Sequence, residues 1–310
     1  MKCGKCNEKG VLELQHGILC KSHFITYFEN KVFKTIKKFN LIGRNENVCV
    51  ATSGGKDSLT VLYLTKKFIE KEKLNSEVFA LVVDEGISNY REHTIVDLEE
   101  FCTEHNIPLK SVSNKEEFGF TLEEAYPIVN KGTKKKPCNI CGVWRRYLLN
   151  KVSRDFGATK VVTGHNLDDE AQAVMMNIFK ANTKLSANLG PISGIKEDKH
   201  FVQRVKPLYF CTEKETRLYV LLKGFKVQFT ECPFSHIGYR AQMRDMLNDF
   251  EYKYNGTKQG IINSFLQMLP MLQEKATENY TPIASCETCK EPCNGKTCNA
   301  CKIMEVLNEV

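Results

Sequence analysis

The chain has 310 residues, a net charge of +7 at pH 7 and a hydrophobic content of 42%; these values allow one large α/β domain with small appendages and exclude wholesale disorder. No apolar run approaches the roughly 18 residues of a membrane-spanning helix, and the N-terminus lacks the apolar core of a signal peptide, so we expect a cytoplasmic protein with no membrane contact. Fourteen cysteines in such a chain predict metal ligands or catalytic thiols rather than disulfides.

Residues 1–25 have the spacing of a small zinc ribbon. Two close pairs of ligand-type side chains are separated by thirteen residues and a hairpin-like alternation, and tetrahedral zinc takes thiolate and imidazole from two such pairs. His16 is a rival for the histidine position, but His23 forms a close pair with Cys20 and is preferred. The predicted ligands are Cys3, Cys6, Cys20 and His23. A basic segment with helical periodicity follows over residues 24–40.

The stretch 48–58, VCVATSGGKDS, predicts a nucleotide-binding loop. Its first residues are typical of a buried strand, and the residues after it have the apolar period of a helix. Glycines between the two elements let the backbone approach a ligand closely, and the free N–H groups of a helix N-terminus bind phosphate. The spacing is not that of a Walker A motif. The predicted binding residues are Ser53, Gly54, Gly55, Lys56, Asp57 and Ser58.

Two further predicted strands end in polar or glycine residues. The run EVFALVVD ends at Asp84, and KVVT is followed by Gly164 and His165. Ligands of open α/β sheets bind beyond the carboxyl ends of the strands, so all three residues are expected near the nucleotide. Asp84 could meet a ribose, an adenine or a magnesium ion, or could instead cap a helix beginning near Asn89.

Asp168 and Asp169 open the helix that follows His165, where acidic residues suit the helix dipole. Both are predicted to hold magnesium or to polarise a substrate, with helix capping as the alternative.

The second informative region begins with a lysine-rich loop over residues 131–137 and leads into Cys138 and Cys141, a CxxC motif that opens a basic helix. Such a motif serves as a redox pair, as half of a zinc site or within an iron–sulfur ligand set. Cys232, in FTECPFS, is expected at the end of another strand that faces the same cleft. Three cysteines on a [4Fe–4S] cluster would leave one iron open to sulfur or substrate. The alternative is a buried CxxC and an unrelated thiol. The flanking basic residues predict lowered thiol pKa values.

Residues 281–310 contain a second zinc ribbon of two CxxC pairs. Its predicted ligands are Cys286, Cys289, Cys298 and Cys301, with Cys293 as a spare thiol. The residues between the two ribbons, 26–280, are predicted to form the catalytic domain.

In their order and number these motifs resemble those of the tRNA 2-thiouridine synthetases of the TtuA and NcsA group, which belong to the PP-loop ATP pyrophosphatases. The resemblance covers nearly the whole chain, through CxxC…CxxH, SGGKDS, VDEGI, PCxxCGxxRR, TGHNLDDEAQ, ECP and CxxC…CxxC. It implies an α/β fold with a parallel sheet, in which a PP-loop domain is flanked by the two zinc ribbons. The implied cofactors are ATP, Mg²⁺, a [4Fe–4S] cluster and two zinc ions, and the implied assembly is a homodimer.

The resemblance also implies a reaction. The C2 oxygen of a tRNA uridine, at position 34 in preference to 54, would attack the α-phosphate of ATP, and sulfur would then displace AMP. The sulfur would come from hydrosulfide or from a thiocarboxylated ubiquitin-like carrier, delivered on a cluster held by Cys138, Cys141 and Cys232. Family members can carry a catalytic lysine where this chain has Arg145, which keeps the charge but exchanges no proton at neutral pH. Arg145 is therefore expected to act as an electrostatic clamp on phosphate.

Three alternative functions are compatible with parts of the sequence. A thiolase that uses a cysteine persulfide would need the thiols but no cluster. An ATP pyrophosphatase that adenylates a small molecule for amidation would need SGGKDS but not the three cysteines. A zinc-ribbon RNA-binding scaffold would not need SGGKDS.

Overall fold

The computed structural model describes residues 2–14, 17–195, 200–235, 238–278 and 283–309. The strands are β1 Gly10–Leu14, β2 Gly17–Cys20, β3 Asn47–Thr52, β4 Glu77–Asp84, β5 Leu109–Ser113, β6 Lys160–Thr163, β7 Ile192–Ser193, β8 Gln203–Val205, β9 Ala284–Ser285 and β10 Pro292–Cys293. The helices are α1 Lys21–Lys38, α2 Lys56–Glu72, α3 Arg91–Glu104, α4 Asn114–Phe118, α5 Leu122–Thr133, α6 Pro137–Asp155, α7 Leu167–Phe179, α8 Thr183–Ser186, α9 Glu213–Lys223, α10 Tyr239–Lys253, α11 Thr257–Glu278 and α12 Asn299–Asn308.

A six-stranded sheet with the order β5-β4-β3-β6-β8-β7 organises the fold. Its strands pair in parallel, except that β7 is antiparallel to β8 at one edge. The chain builds outward from β3 to β5 and then returns to place β6 on the other side of β3. This reversal makes the carboxyl ends of β3 and β6 a topological switch point, where open α/β sheets bind ligands. The predicted parallel-sheet α/β class is confirmed.

Helices cover both faces of the sheet. Along β3, Val48 and Val50 enter a core shared with α1, α2 and α9, whereas Cys49 enters a second core shared with α5, α6 and α12. Burial on both faces explains the uninterrupted apolar run of this strand, because neither face meets water. A third cluster joins α7, α10 and α11. Within the described residues, no helix is long and apolar enough to cross a membrane.

Three local expectations differ from the structure. The segment before Cys232 forms no strand: residues 225–234 are irregular, and Asp97 on α3 accepts hydrogen bonds from Gln228 at 2.8 Å and from Lys226 at 3.0 Å. The predicted lysine-rich loop is shorter, because α5 extends to Thr133. The helix after Asp84 begins at Arg91 rather than near Asn89.

Candidate functional site

The loop between β3 and α2 has a backbone suited to an anion. Gly54 has a φ of 74°, and an added Cβ would lie 2.6 Å from the carbonyl oxygen of Thr94, so both its conformation and its packing require glycine. The Ser58 hydroxyl donates to the Gly55 carbonyl at 2.9 Å and accepts from the Ser53 N–H at 3.2 Å, which closes the loop. The loop leads into the N-terminus of α2, whose free N–H groups and dipole favour a phosphate.

Lys56 adds a fixed positive charge at this helix terminus. Its Nζ lies 2.9 Å from a carboxylate oxygen of Asp57 and 2.9 Å from one of Glu213. Burial alone would lower the pKa of Lys56, but the two carboxylates raise it above its usual value. The ammonium group therefore stays protonated at neutral pH.

The turn after β6 packs directly against the loop. An added Cβ at Gly164 would lie 2.9 Å from the backbone carbon of Asp57 and 3.0 Å from the amide nitrogen of Ser58, so only glycine allows this approach. Asn166 then donates a hydrogen bond to Asp57 at 3.1 Å. These contacts bring the predicted Gly164–His165 turn to the predicted nucleotide-binding loop.

His165 lies in the turn after β6, and its side chain is exposed. Desolvation by the surrounding protein lowers the pKa of His165 to about 4, and the positive charges of Lys206, Arg240 and Arg204 lower it further than the Glu170 carboxylate can offset. The imidazole is thus neutral at pH 7. Its Nδ1 lies 2.9 Å from the hydroxyl oxygen of Thr163, so its Nε2 is the nitrogen left for a ligand.

Asp168 is engaged on both carboxylate oxygens. Oδ2 accepts the Glu213 N–H at 2.8 Å, and Oδ1 pairs with the buried ammonium group of Lys258. These contacts tie α7 to the starts of α9 and α11. Asp168 therefore belongs to a structural ion pair, a role that was not predicted from the sequence.

Asp169 and Asp84 are more open. Asp169 completes a capping box with Asn166, as the capping alternative predicted, and lies 3.5 Å from Arg240. Asp84 accepts the Gly86 N–H at 2.8 Å, which stabilises the turn after β4 rather than the helix that begins later. Both side chains are only half-buried.

The three central cysteines are neighbours. Cys138 and Cys141 open α6 as predicted, and the Cys138 thiol lies 3.5 Å from the carbonyl oxygen of Phe234, two residues beyond Cys232. Burial raises the pKa of Cys232, and the nearby Cys138 raises it further. Burial also raises the pKa of Cys141, because the Arg145 guanidinium offsets the desolvation only in part. The expectation that flanking basic residues lower the pKa values of the CxxC thiols was wrong for Cys141.

The donor set of these thiols fits a cluster better than a single ion. The ligand atoms of each terminal group lie within 4.8 Å of one another, whereas the three central thiols form no such group among the described residues. Thiolates that share one zinc ion must lie that close, but thiolates on separate irons of a cluster lie farther apart. Three cysteine ligands also match a cluster with one open iron.

Glu85 joins the predicted nucleotide-binding loop to the central cysteines, and no role was predicted for it from the sequence. Its side chain is 1% exposed. One carboxylate oxygen accepts Arg91 Nε at 2.7 Å, and the other lies 2.7 Å from Arg145 Nη2. Arg91 also donates to the Ser53 carbonyl at 2.8 Å, and Arg145 Nη2 lies 3.0 Å from the Cys141 sulfur. The signal in the sequence was a carboxylate placed directly after an apolar strand.

Arg145 is held between an acid and a thiol. Partial burial would lower the pKa of Arg145, but the Glu85 carboxylate and Cys141 raise it. The side chain remains 46% exposed, so the guanidinium can also meet a ligand.

Both terminal tetrads have geometries that fit zinc. Two zinc–sulfur bonds of about 2.3 Å at a tetrahedral angle place the sulfurs about 3.8 Å apart. The corresponding Sγ–Sγ distances are 3.6 Å for Cys6 and Cys20, 3.8 Å for Cys286 and Cys301, and 3.6 Å for Cys289 and Cys298. The full groups are Cys3, Cys6, Cys20 and His23, and Cys286, Cys289, Cys298 and Cys301.

His23 is the histidine of the first group, as preferred from the sequence. Its Nδ1 lies 3.5, 3.5 and 3.2 Å from the sulfurs of Cys3, Cys6 and Cys20, and the rival His16 lies outside the described residues. Cys293 stays outside the second group, with its thiol 3.0 Å from the Gly295 carbonyl.

The chain is similar to known proteins over nearly its whole length, in sequence and in structure. Residues 26–233 match the family model of the PP-loop domain. The tRNA-5-methyluridine(54) 2-sulfurtransferase of Pyrococcus horikoshii is 34% identical, over 100% of this chain and 96% of its own. The tRNA 2-thiolation protein NcsA of Haloferax volcanii is 30% identical over 100% of both chains. The solved structure of the U34-tRNA thiolase NcsA from Methanococcus maripaludis with its [4Fe–4S] cluster matches with a TM-score of 0.82 at 32% identity, over 99% of this chain and 96% of that one.

Proposed function

Because the chain belongs to the PP-loop family of tRNA 2-thiolation proteins, we propose that it is an ATP-dependent tRNA-uridine 2-sulfurtransferase. The observation that carries the proposal is the chain of contacts from Ser53 through Arg91, Glu85 and Arg145 to Cys141. It supports a single site that combines a phosphate-binding loop with a set of three thiols. An enzyme that activates one substrate atom with ATP and replaces it with sulfur needs both.

The loop residues act on ATP. The N–H groups at the start of α2 and the Lys56 ammonium group bind the β- and γ-phosphates and stabilise the charge of the departing pyrophosphate. The C2 oxygen of the uridine attacks the α-phosphate, which converts that oxygen into part of a good leaving group, AMP. The neutral imidazole of His165 is available as a hydrogen-bond partner for the nucleoside.

We assign Asp169, rather than Asp168, as the carboxylate that binds magnesium during the attack on ATP. Both oxygens of Asp168 already have partners in Lys258 and Glu213, so a role there would break a buried ion pair. Asp169 and Asp84 offer the carboxylate oxygens that Mg²⁺ prefers. A magnesium ion bound with ATP would neutralise phosphate charge at this point.

The second half of the site handles sulfur. Cys138, Cys141 and Cys232 would hold a [4Fe–4S] cluster, which would supply a site for sulfur from hydrosulfide or a thiocarboxylate carrier. Arg145, fixed by Glu85, provides a positive charge beside the thiols and toward the adenylated base. Formation of the C2–S bond then releases AMP with the former uridine oxygen.

Position 34 is the target we propose. The solved relative with a TM-score of 0.82 is described as a U34-tRNA thiolase, whereas the Pyrococcus relative is named for position 54. We further propose that the enzyme acts as a homodimer, which light scattering of the purified protein tests.

Two matched transcripts test the reaction and its position. Anaerobically reconstituted protein is incubated with ATP, sulfide and tRNA transcripts in which uridine 34 or uridine 54 is replaced by cytidine, and 2-thiouridine, AMP and pyrophosphate are measured. We expect thiolation to disappear only with the transcript altered at position 34. If 2-thiouridine forms in the transcript altered at position 34 and not in the one altered at position 54, the target is position 54. If the unaltered tRNA yields no 2-thiouridine, the proposed function is refuted.

The cluster is tested separately from thiolation. We expect the anaerobic protein to show broad iron–sulfur absorbance that rises and falls with activity. A colourless preparation with full activity would favour the persulfide reaction. Amidation of a small molecule is disfavoured because it has no use for three thiols beside the nucleotide loop.

A further inference from the structure

A large cleft lies outside the site described above. It has a volume of about 1560 Å³ and is lined by one face of α6, by β8, by α11 and by the C-terminal ribbon. None of residues 53–58 and none of the central cysteines lines it. Pockets for small ligands measure about 300–1,000 Å³, so this cleft is large enough for part of a polymer.

Arg146 and Arg204 line this cleft with no acidic partner. Arg204 Nη2 donates to the backbone carbonyl of Arg146 at 3.3 Å, which fixes the Arg204 guanidinium against the backbone of α6 at Arg146. Across the described ranges, neither guanidinium forms an ion pair with a carboxylate. Burial and the charge of Arg146 lower the pKa of Arg204 to about 10, and burial with the charge of Arg145 lowers that of Arg146.

Two neighbouring cations, in contrast, have acidic partners. Arg154, farther along α6, pairs with Glu291 at 3.1 Å, and Lys160, which also lines the cleft, lies 4.0 Å from Glu46. Arg146 is exposed and Arg204 is partly exposed, so both guanidinium groups are open to a ligand, and two like charges this close repel each other. An anion with several acceptor oxygens relieves this repulsion, and guanidinium groups bind such anions through paired N–H donors.

The location connects the pair to the reaction centre. An added Cβ at Gly142 would lie 3.3 Å from Arg146 Nη1, so the guanidinium passes over the residue that follows Cys141. An anion bound here would therefore lie beside the central cysteines but outside the nucleotide-binding loop.

We propose that Arg146 and Arg204 bind a backbone phosphate of the RNA substrate and that the cleft holds the adjoining nucleotides. This inference rests on the proposed tRNA substrate and names the residues that receive it. Tyr147 and Phe201 also line the cleft, and Phe201 is 41% exposed, so aromatic faces are available for bases to stack on. The C-terminal tetrad shapes one wall, which gives that ribbon a part in RNA binding.

The test compares three substitutions that each remove one positive charge: Arg204→Gln, Arg146→Gln and Arg44→Gln. Arg44 is exposed and does not line the cleft, so it controls for net charge. We expect about a tenfold higher Kd for tRNA in each cleft variant, because a hydrogen bond to a charged group is lost. The slope of log K against log salt should fall by about 1. Arg44→Gln should bind like the parent, and Arg204→Lys should recover the salt slope.

The outcomes separate this site from the proposed function. Unchanged tRNA binding in both cleft variants, with thiolation by the parent protein intact, overturns the phosphate site alone. No thiolation by the parent protein overturns the proposed function. Weakened ATP binding with unchanged tRNA binding would assign the pair to nucleotide phosphate and would also refute the proposal. Circular dichroism melting of Arg204→Lys beside Arg204→Gln shows whether any loss reflects folding.

Discussion

Replacing Glu85 with glutamine tests whether the buried carboxylate holds the two halves of the site together. The substitution keeps the shape but leaves Arg91, whose side chain is 4% exposed, beside a neutral amide. Breaking a buried ion pair in this way costs about 3–5 kcal/mol. Arg145 is 46% exposed and can turn to water, so most of the loss comes from Arg91. We expect the free energy of unfolding to fall by about 3 kcal/mol.

A matched control is Glu72→Gln. Glu72 pairs with Lys37 at 2.9 Å, but these side chains are 27% and 57% exposed, and such surface pairs contribute about 0–1 kcal/mol. Urea denaturation of both variants measures the difference directly. Equal stability of Glu85→Gln and Glu72→Gln would refute the assignment of a buried, charge-dependent bridge.

Kinetics distinguish positioning from stability alone. Below the unfolding transition, Glu85→Gln should raise the KM for ATP, since Arg91 no longer orients the Ser53 carbonyl of the loop. It should also lower kcat for thiolation, because Arg145 is no longer fixed beside Cys141. A variant that is less stable but has unchanged KM and kcat would show that Glu85 is only structural.

Three further substitutions test other parts of the site. Cys232→Ser should abolish iron–sulfur absorbance and thiolation while ATP still binds. Cys293→Ser, outside the metal tetrad, should change neither the absorbance nor thiolation. A fully active Cys232→Ser protein would exclude the three-cysteine set. Gly54→Ala should abolish ATP binding, because it combines a φ of 74° with a collision. Gly224→Ala, with a φ of 73° and open space, should lower the free energy of unfolding by only about 1–2 kcal/mol. Equal effects of the two substitutions on ATP binding and on stability would show that the collision is unimportant. His165 has a pKa lowered from 6.5 to about 4, so the unfolded chain binds its proton first as pH falls, and stability is lost between these values. His165→Gln should flatten the pH dependence of the urea midpoint in that window, and an unchanged slope would contradict the lowered pKa.

Local spacing was sufficient to predict the parts of the site that are close in sequence. The loop after β3 and the start of α6 follow from strand and helix periodicity with glycine or proline at the junction. The choice of His23 needed only its close pair with Cys20. In each case the ligand atoms are brought together by a single turn or hairpin, whose geometry the local sequence determines.

The position of Cys232 was not predictable in the same way. The sequence suggested a strand, but the edge beside β8 is taken by β7, and side-chain bonds to Asp97 hold the segment instead. The lowered pKa expected for the thiols failed for a related reason. Charges next to Cys141 in the sequence are visible, but the burial that outweighs them depends on the packing of distant elements.

Glu85 shows what a buried charge can do that apolar packing cannot. An apolar contact between the end of β4 and α6 would tolerate small shifts, since dispersion has no preferred direction. A carboxylate with one guanidinium on each oxygen fixes direction as well as distance, because any shift of α3 or α6 would leave a buried charge without a partner. Ser53 and Cys141 are each bonded to one of those guanidinium groups. The loop at Ser53 and the thiol of Cys141 are therefore positioned relative to each other by one side chain at the carboxyl end of β4. Glu85→Asp, which keeps the charge but shortens its reach, should impair thiolation more than it impairs ATP binding.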